Sequence, residues 1–178
     1  MSDYQSTLLG RTEVAEGTTA FRFEKPNEFV FKAGQYIDLT ISGSQRGSSN
    51  GLTHTFSIAS SPFDEELVVT TRMRDTVFKE ALSALPIGSR ARIVGPMGSF
   101  NLHNNTARPA VFLAGGIGIA PFLSMLSYAT GEKLRHPICS VLRKPLPTGR
   151  SVHRCTMEAR ACKSKVSLCS NPHACNQQ

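Results

Sequence analysis

The sequence predicts a mainly β fold: an antiparallel barrel carrying one helix, followed by the opening of an α/β unit. Three observations lead there. The first hundred residues break into short strand-like runs separated by turn residues, with a single helical stripe among them. At Ala110 the pattern changes to an apolar run, a glycine turn and a second helical stripe. At Cys139 the composition changes again, in the middle of that unit.

The elements follow in order. Thr18–Glu24 alternates Thr19, Phe21 and Phe23 against Ala20, Arg22 and Glu24, the period of a half-buried strand. Lys25-Pro26-Asn27 reads as a turn. Gln35–Ile41 is rich in strand formers, and Ser42–Gly51 is a Gly/Ser/Asn loop. His54–Ala59 is a strand ending at Ser60-Ser61-Pro62, and Leu67–Met73 is another, with four β-branched residues in a row. Asp75 or Thr76 can cap a helix whose stripe is Val77, Phe78, Ala81, Leu82 and Leu85, ended by Pro86 and Gly88. Ala91–Val94 is a short strand before Gly95-Pro96. Several strands with one helix point to a closed antiparallel barrel. Ala110–Ala114 reads as a strand covered on both faces. The turn 115–118 opens a helix carrying Phe122, Leu123, Met125, Leu126 and Ala129, stopped by Gly131. A second strand begins near His136-Pro137-Ile138.

The chain has 178 residues, 40% hydrophobic and 19% charged, so a packed core is possible and wholesale disorder is excluded. The formal charge of +7 invites a nucleic-acid partner until its distribution is read. Residues 1–138 hold 13 Lys and Arg against 12 Asp and Glu; residues 139–178 hold 7 against 1. All five cysteines (139, 155, 162, 169 and 175) lie in that last stretch and all 13 aromatics lie before it. No basic and apolar leader opens the chain, so a secretory signal is not expected. The uncharged segment Ala110–Gly131 is long enough to span a bilayer, but Gly115, Gly116, Gly118 and Pro121 interrupt it. No membrane partner and no specific nucleic-acid partner are expected.

Four segments carry candidate chemistry. His54-Thr55-Phe56-Ser57 ends a strand with a ring and then a hydroxyl, which can stack a flat ligand and hydrogen-bond its edge; taken alone, the segment reads more readily as an ordinary strand with a core Phe and a turn. Thr71, Arg72, Arg74 and Thr76 lead into a helix N-terminus, where free N–H groups and positive charge favour an anion such as a pyrophosphate; a solvated surface pair is the alternative. Gly95-Pro96-Met97-Gly98 is a loop leaving the barrel, with no chemistry of its own. Gly115-Gly116-Ile117-Gly118-Ile119-Ala120-Pro121 joins a strand to a helix, where glycines let backbone amides approach a dinucleotide; a tight turn with no ligand is the other reading.

Taken in this order, the four segments resemble the ferredoxin–NADP reductase superfamily over about residues 4–138. The resemblance implies a six-stranded Greek-key barrel that binds FAD (FMN is the alternative), an α/β domain that binds NAD(P)H, and a protein electron acceptor with an iron–sulfur or haem centre. It implies an oxidoreductase of the cytoplasm. The family's Arg-x-Tyr-Ser falls on His54, Thr55, Phe56 and Ser57. Phe56 then stacks on the flavin and Ser57, the one catalytic assignment, sits beside its reactive nitrogen. His54 replaces the Arg that pairs with pyrophosphate, so Arg72 or Arg74 must supply charge beside Thr71 and the Thr76 cap. Gly115, Gly116, Gly118 and Pro121 fall on the nicotinamide-binding turn. No metal ligands are assigned.

Three parts are expected: the barrel (1–105), an N-terminal fragment of the nicotinamide domain (106–138), and an aberrant, structureless tail (139–178). Leu, Ile, Val and Phe are only 6 of the last 40 residues. Back-translating Ser140–Leu168 with free codon choice and reading one base later can give Leu-Phe-Tyr-Ala-Asn-Arg and then an apolar helix, so an out-of-frame origin is expected for the tail. Use of NAD(P)H should then be impaired, and Phe122 and Leu126 should be left exposed. The alternatives are a flavin-binding module without turnover, or an interaction protein whose basic, cysteine-bearing tail binds nucleic acid or metal.

Overall fold

The computed structural model describes residues 2–42, 51–146 and 149–158, those beyond 140 by backbone alone. The strands β1 (Ser2–Ala15), β2 (Thr18–Glu24), β3 (Tyr36–Ile41), β4 (Leu52–Ser57), β5 (Glu66–Arg72) and β6 (Arg90–Met97) form one antiparallel sheet in the order β4-β3-β6-β1-β2-β5. Its two edges meet at one end. There Ile58 bridges Val69, the Ala59 N–H donates to the Val68 carbonyl at 2.8 Å, and the Val68 N–H donates to Ser60 Oγ at 3.0 Å. The expected mainly β barrel with one helix is the observed architecture, in half-barrel form.

Alternation builds its core. Phe21 and Phe23 of β2, Ile37, Leu39 and Ile41 of β3, Leu67 and Val69 of β5 and Ile93 of β6 are fully buried. β1 is the strand the sequence pattern hid. Its inward positions are Ser6, Leu8 and Gly10, while Leu9 points out, so polarity does not follow its pleat. The inward Ser6 is satisfied by donating to the Glu24 carbonyl at 2.6 Å.

Helix α1 (Val77–Ala84) is capped by Thr76, whose hydroxyl accepts from the Lys79 N–H at 3.4 Å; this selects Thr76 over Asp75. Leu82 is its buried anchor, whereas Val77, expected in the apolar stripe, points outward and is 66% exposed. The loop expected over 42–51 falls largely on residues 43–50, outside the described residues.

The second unit runs β7 (Ala110–Gly115), a 3-10 turn (Gly116–Ile119), helix α2 (Ala120–Gly131), β8 (Pro137–Leu146) and β9 (Gly149–Glu158). β7 and β8 pair in parallel across α2, and β9 pairs antiparallel to β8. Two expectations change here. The β7 strand is covered on one face: α2 packs on Ala110 and Phe112, and Ala114 is buried on that side too, while Val111 and Leu113 on the other face are 60% and 70% exposed. The backbone beyond Cys139 is also not structureless as far as 158, because β8 and β9 occupy it. Inter-strand hydrogen bonding is a backbone property, and a poor apolar composition does not forbid it. Residues 159–178 lie outside the described residues. Phe122 and Leu126 are half-buried rather than bare, with Phe122 stacked on Phe112 at 4.6 Å. No helix among the described residues is long and apolar enough to cross a membrane.

The two units are docked. Ser124 of α2 donates to the Ser60 carbonyl at 2.6 Å, and Phe63 stacks on Tyr128 at 5.4 Å. Phe100 meets Phe122 edge-on at 5.6 Å, and Ala33 is buried within the core of the second unit. Gly34 has φ +100, and any Cβ there would collide with the Phe100 carbonyl oxygen and Met125 Cε. Gly17 has a similar φ of +63 but open space around it.

This contrast separates strain from collision. Gly17→Ala should lose about 1 kcal/mol from its left-handed backbone alone. Gly34→Ala should lose at least about 1 kcal/mol more, measured by urea denaturation, because the docked helix must shift. A second expectation concerns acid. Arg92 donates to both Asp3 carboxylate oxygens at 3.0 and 2.8 Å and holds that carboxyl below its ordinary value. The stabilisation is present above about pH 4 and is lost as pH falls through the depressed folded value. Asp3→Asn should therefore flatten the acid limb of the stability curve, an effect that salt reduces because the pair is exposed.

Candidate functional site

β4 ends beside both units, and its pleat divides the expected residues between two faces. His54 and Phe56 share one face. The Phe56 ring is 5% exposed and belongs to the barrel core. His54 meets it edge-on at 4.8 Å, and Phe78 of α1 tilts against both rings at 5.3 and 5.8 Å. Phe56 therefore offers no open face to a flat ligand, which corrects its expected stacking role: strand alternation turns it inward, and two rings cover it. The trio ties α1 to β4 and brings the helix N-terminus beside the strand.

Thr55 and Ser57 occupy the outer face. Thr55 is committed to a short hydrogen bond donated to Asp38. The half-buried Ser57 pairs in register with Tyr36 of β3. The ring of Tyr36 is 37% exposed and lies against Gly98, where a Cβ would come within 2.8 Å of the ring. The Gln35 amide donates to the Gly98 carbonyl at 2.9 Å and fixes that contact. Tyr36 reads in the sequence only as a strand former. Its position opposite Ser57 depends on a strand register that no local pattern reveals.

β5 delivers the basic residues. Thr71 is 4% exposed and faces the barrel interior. Arg72 and Arg74 are exposed, and neither is ion-paired among the described residues, where the salt bridges are Arg22–Glu66 and Arg92–Asp3. Lys79 donates to the Arg72 carbonyl at 2.8 Å, which binds the strand end to the first turn of α1. A depression of about 440 Å³ beside α1 is lined by Met73, Arg74, Asp75, Glu80, Ser83 and Ala84. Of the expected residues it includes Arg74 alone.

The glycine turn faces open space. Gly115, Gly116 and Gly118 have no heavy atom within 4 Å of where a Cβ would stand, and Gly116 has φ +56, a backbone that favours glycine. No side chain caps α2; the 3-10 turn runs straight into it, and the Ala120 N–H donates to the Ile117 carbonyl. Pro121 sits in the first turn, where its missing N–H costs nothing. The turn lies against β5, and α2 touches the chain just past β4 through Ser60. The chain just past Ser57, strand β5 and the glycine turn thus meet at the junction of the two units, while His54 and Phe56 lie on the α1 side of β4.

Among the described residues no cluster of three or more metal-ligating side chains occurs. Cys162, Cys169 and Cys175 of the tail lie outside the described residues. The donor set fits an anionic dinucleotide instead: exposed guanidinium groups with no ion pair among the described residues, a capped helix start and a glycine-rich turn.

Comparison with known proteins agrees with this chemistry. The profile of the FAD-binding domain family matches residues 12–120. The electron transfer component of toluate 1,2-dioxygenase from Pseudomonas putida is 30% identical over 139 residues, 76% of this chain and 39% of that protein. Component C of methane monooxygenase from Methylosinus trichosporium is 38% identical over 101 residues, 54% of this chain and 27% of that protein. The chain spans less than half the length of these relatives. Among solved structures, the Amycolatopsis cytochrome P450 reductase superposes with a TM-score of 0.66 at 25% identity, over 77% of this chain and 41% of that one. The ferredoxin NADP+ reductase of Neisseria gonorrhoeae, solved with FAD and NADP, shares the fold with a TM-score of 0.66 at 18% identity, over 82% of this chain and 58% of that one. This chain belongs to the FAD-binding domain family and is a flavoprotein of the ferredoxin reductase type, with oxygenase reductase components among its relatives.

Proposed function

We propose that this chain binds FAD at the junction of its two units and serves as the flavin-bearing part of an oxidoreductase that moves electrons between NAD(P)H and an acceptor protein. One observation carries the reading: the chain just past β4, strand β5 and the glycine turn reach one junction although they are far apart in sequence. FAD, when bound, supplies two-electron exchange with a nicotinamide and one-electron exchange with an acceptor.

The chain's own residues bind and orient. Arg72 and Arg74 supply charge for the pyrophosphate, in place of the Arg that His54 replaces. Thr76 holds the first turn of α1 so that its N–H groups face the same anion. The Ser57 hydroxyl is a donor or acceptor for the edge of the flavin ring. Gly115, Gly116, Gly118 and Pro121 let the nicotinamide dinucleotide approach the start of α2. Domain limits of 1–105 for the barrel and 106–138 for the start of the α/β unit fit this division. The acceptor is an iron–sulfur or haem protein, in line with relatives named as an electron transfer component of a dioxygenase and a cytochrome P450 reductase.

A second reading is a flavin-binding module with impaired use of NAD(P)H. The bare face of β7 favours it, since a parallel strand is ordinarily covered on both sides.

Chromatography of the flavin released from the purified protein should show FAD; FMN would change the cofactor, and the absence of any flavin, with no uptake of added FAD, would overturn the reading. Arg72→Ala and Arg74→Ala should each weaken FAD binding about five- to tenfold, roughly 1–1.4 kcal/mol, with the loss shrinking as salt rises. Gly116→Ala should leave FAD binding unchanged and slow flavin reduction by NAD(P)H in stopped-flow absorbance. No reduction by either nicotinamide in the wild-type chain would favour the module.

A further inference from the structure

Away from the junction of the two units, a pair of histidines stands out. His103 lies in the connector 98–109 that leaves β6, and His136 directly precedes β8. Their ring centroids are 5.0 Å apart and their planes are inclined by 59°. His136 is 3% exposed and His103 is half-buried. All four ring nitrogens are shielded from solvent, and none has a hydrogen-bond partner among the described residues.

The local sequence explains why the two rings meet. Leu102 precedes His103, and Leu134 and Ile138 flank His136; all three pack in the core of the second unit. Their burial carries both imidazoles to the margin of that core. The rings themselves are less easily explained. A neutral imidazole has one N–H donor and one bare nitrogen, and either is costly to bury unpaired. The neighbouring core is apolar, and neither ring donates to the other.

Metal coordination accounts for both the contact and the unpaired nitrogens. A late first-row dication takes a bare nitrogen from each ring at once. Two imidazoles on one tetrahedral zinc, with bonds of about 2.0–2.1 Å, hold their ring centres about 5 Å apart. That is the spacing of His103 and His136. Zinc, copper and nickel suit imidazole, whereas magnesium and calcium prefer oxygen ligands.

We propose that His103 and His136 form a two-histidine seat for Zn²⁺ that clips the connector to the start of β8. No third metal-ligating side chain joins the pair among the described residues, so water completes the coordination from the side on which His103 is half-buried. With two protein ligands the metal is exchangeable. It acts by tying the second unit, whose core is small, to the chain that leaves the barrel. The proposal does not depend on the FAD reading.

The test uses the full chain, with its cysteines reduced and metals first removed by chelation, and Zn²⁺ as the probe. Long-range proton–nitrogen spectra, with ring signals assigned through the backbone, report each histidine separately. As zinc is added, one ring nitrogen of His103 and one of His136 should shift together along a single titration curve, while those of His54 stay in place. Zinc should also raise the melting temperature of the wild type, and the part of that rise due to this seat should vanish equally in His103→Ala, His136→Ala and the double variant, because losing either ligand empties the seat. Zinc uptake that leaves both ring signals unmoved, as capture by the five cysteines alone would, overturns the proposal, and so does the absence of uptake. The spectra need only the wild type, so they decide the matter even if a variant fails to fold.

Discussion

The docking of α2 on the barrel is the constraint on which the rest of the arrangement depends. The barrel has its own core, but the second unit has a small one, built from Ala110, Phe112, Met125, Ala129 and Ile138 and completed by Ala33 from the barrel side. Next to Ala33, Gly34 allows the Phe100 carbonyl and the Met125 side chain into space that any other residue would fill. The Ser124–Ser60 hydrogen bond and the Phe63–Tyr128 stack fix the remaining freedom of the helix. The glycine turn that begins α2 is held against β5 as a consequence.

That geometry gives the junction its electrostatic character. Two exposed guanidinium groups with no ion pair among the described residues and the capped start of α1 favour negative charge, and no acidic member is assigned to the proposed site. Most of these donors are backbone groups or flexible side chains at strand ends. Such donors tolerate variation of individual residues, which is how His54 can stand where the reductase motif has an arginine. The outer face of β3 and β4 is otherwise closed by its own polar ladder, with Thr40 against Thr53 and Thr55 against Asp38, leaving Ser57 and Tyr36 as its open rung.

Much of this fold was legible because its signals are local. The Phe21/Phe23 alternation, the Thr76 cap and the strand–glycine–helix order at Ala110 each need only a few neighbouring residues to be read. What escaped depends on long-range partners. β1 buries Ser6 and Gly10 because of what lies across from them, Glu24 in the case of Ser6. The inward turn of Phe56 follows from the phase of β4 relative to a core made elsewhere, and the pairing of Tyr36 with Ser57 follows from the β3–β4 register. An apolar run such as Ala110–Ala114 cannot announce that one of its faces goes uncovered, since nothing in the run itself states what packs on it. The strands over 139–158 were missed because composition reports on side-chain burial and not on backbone pairing.

Hydrogen exchange of backbone amides, measured with and without FAD, tests the placement of the site most directly. With FAD, slowed exchange should appear together in two separate segments, the end of β4 through Ser60 and the strand end and helix start over 71–79; the turn at 115–119 should follow only when a nicotinamide dinucleotide is added. Residues of β1 and β2 on the far side of the barrel should exchange at the same rates in both states. Protection confined to the depression beside α1, or absent from the segment ending at Ser60, would contradict a flavin seated at the junction of the two units.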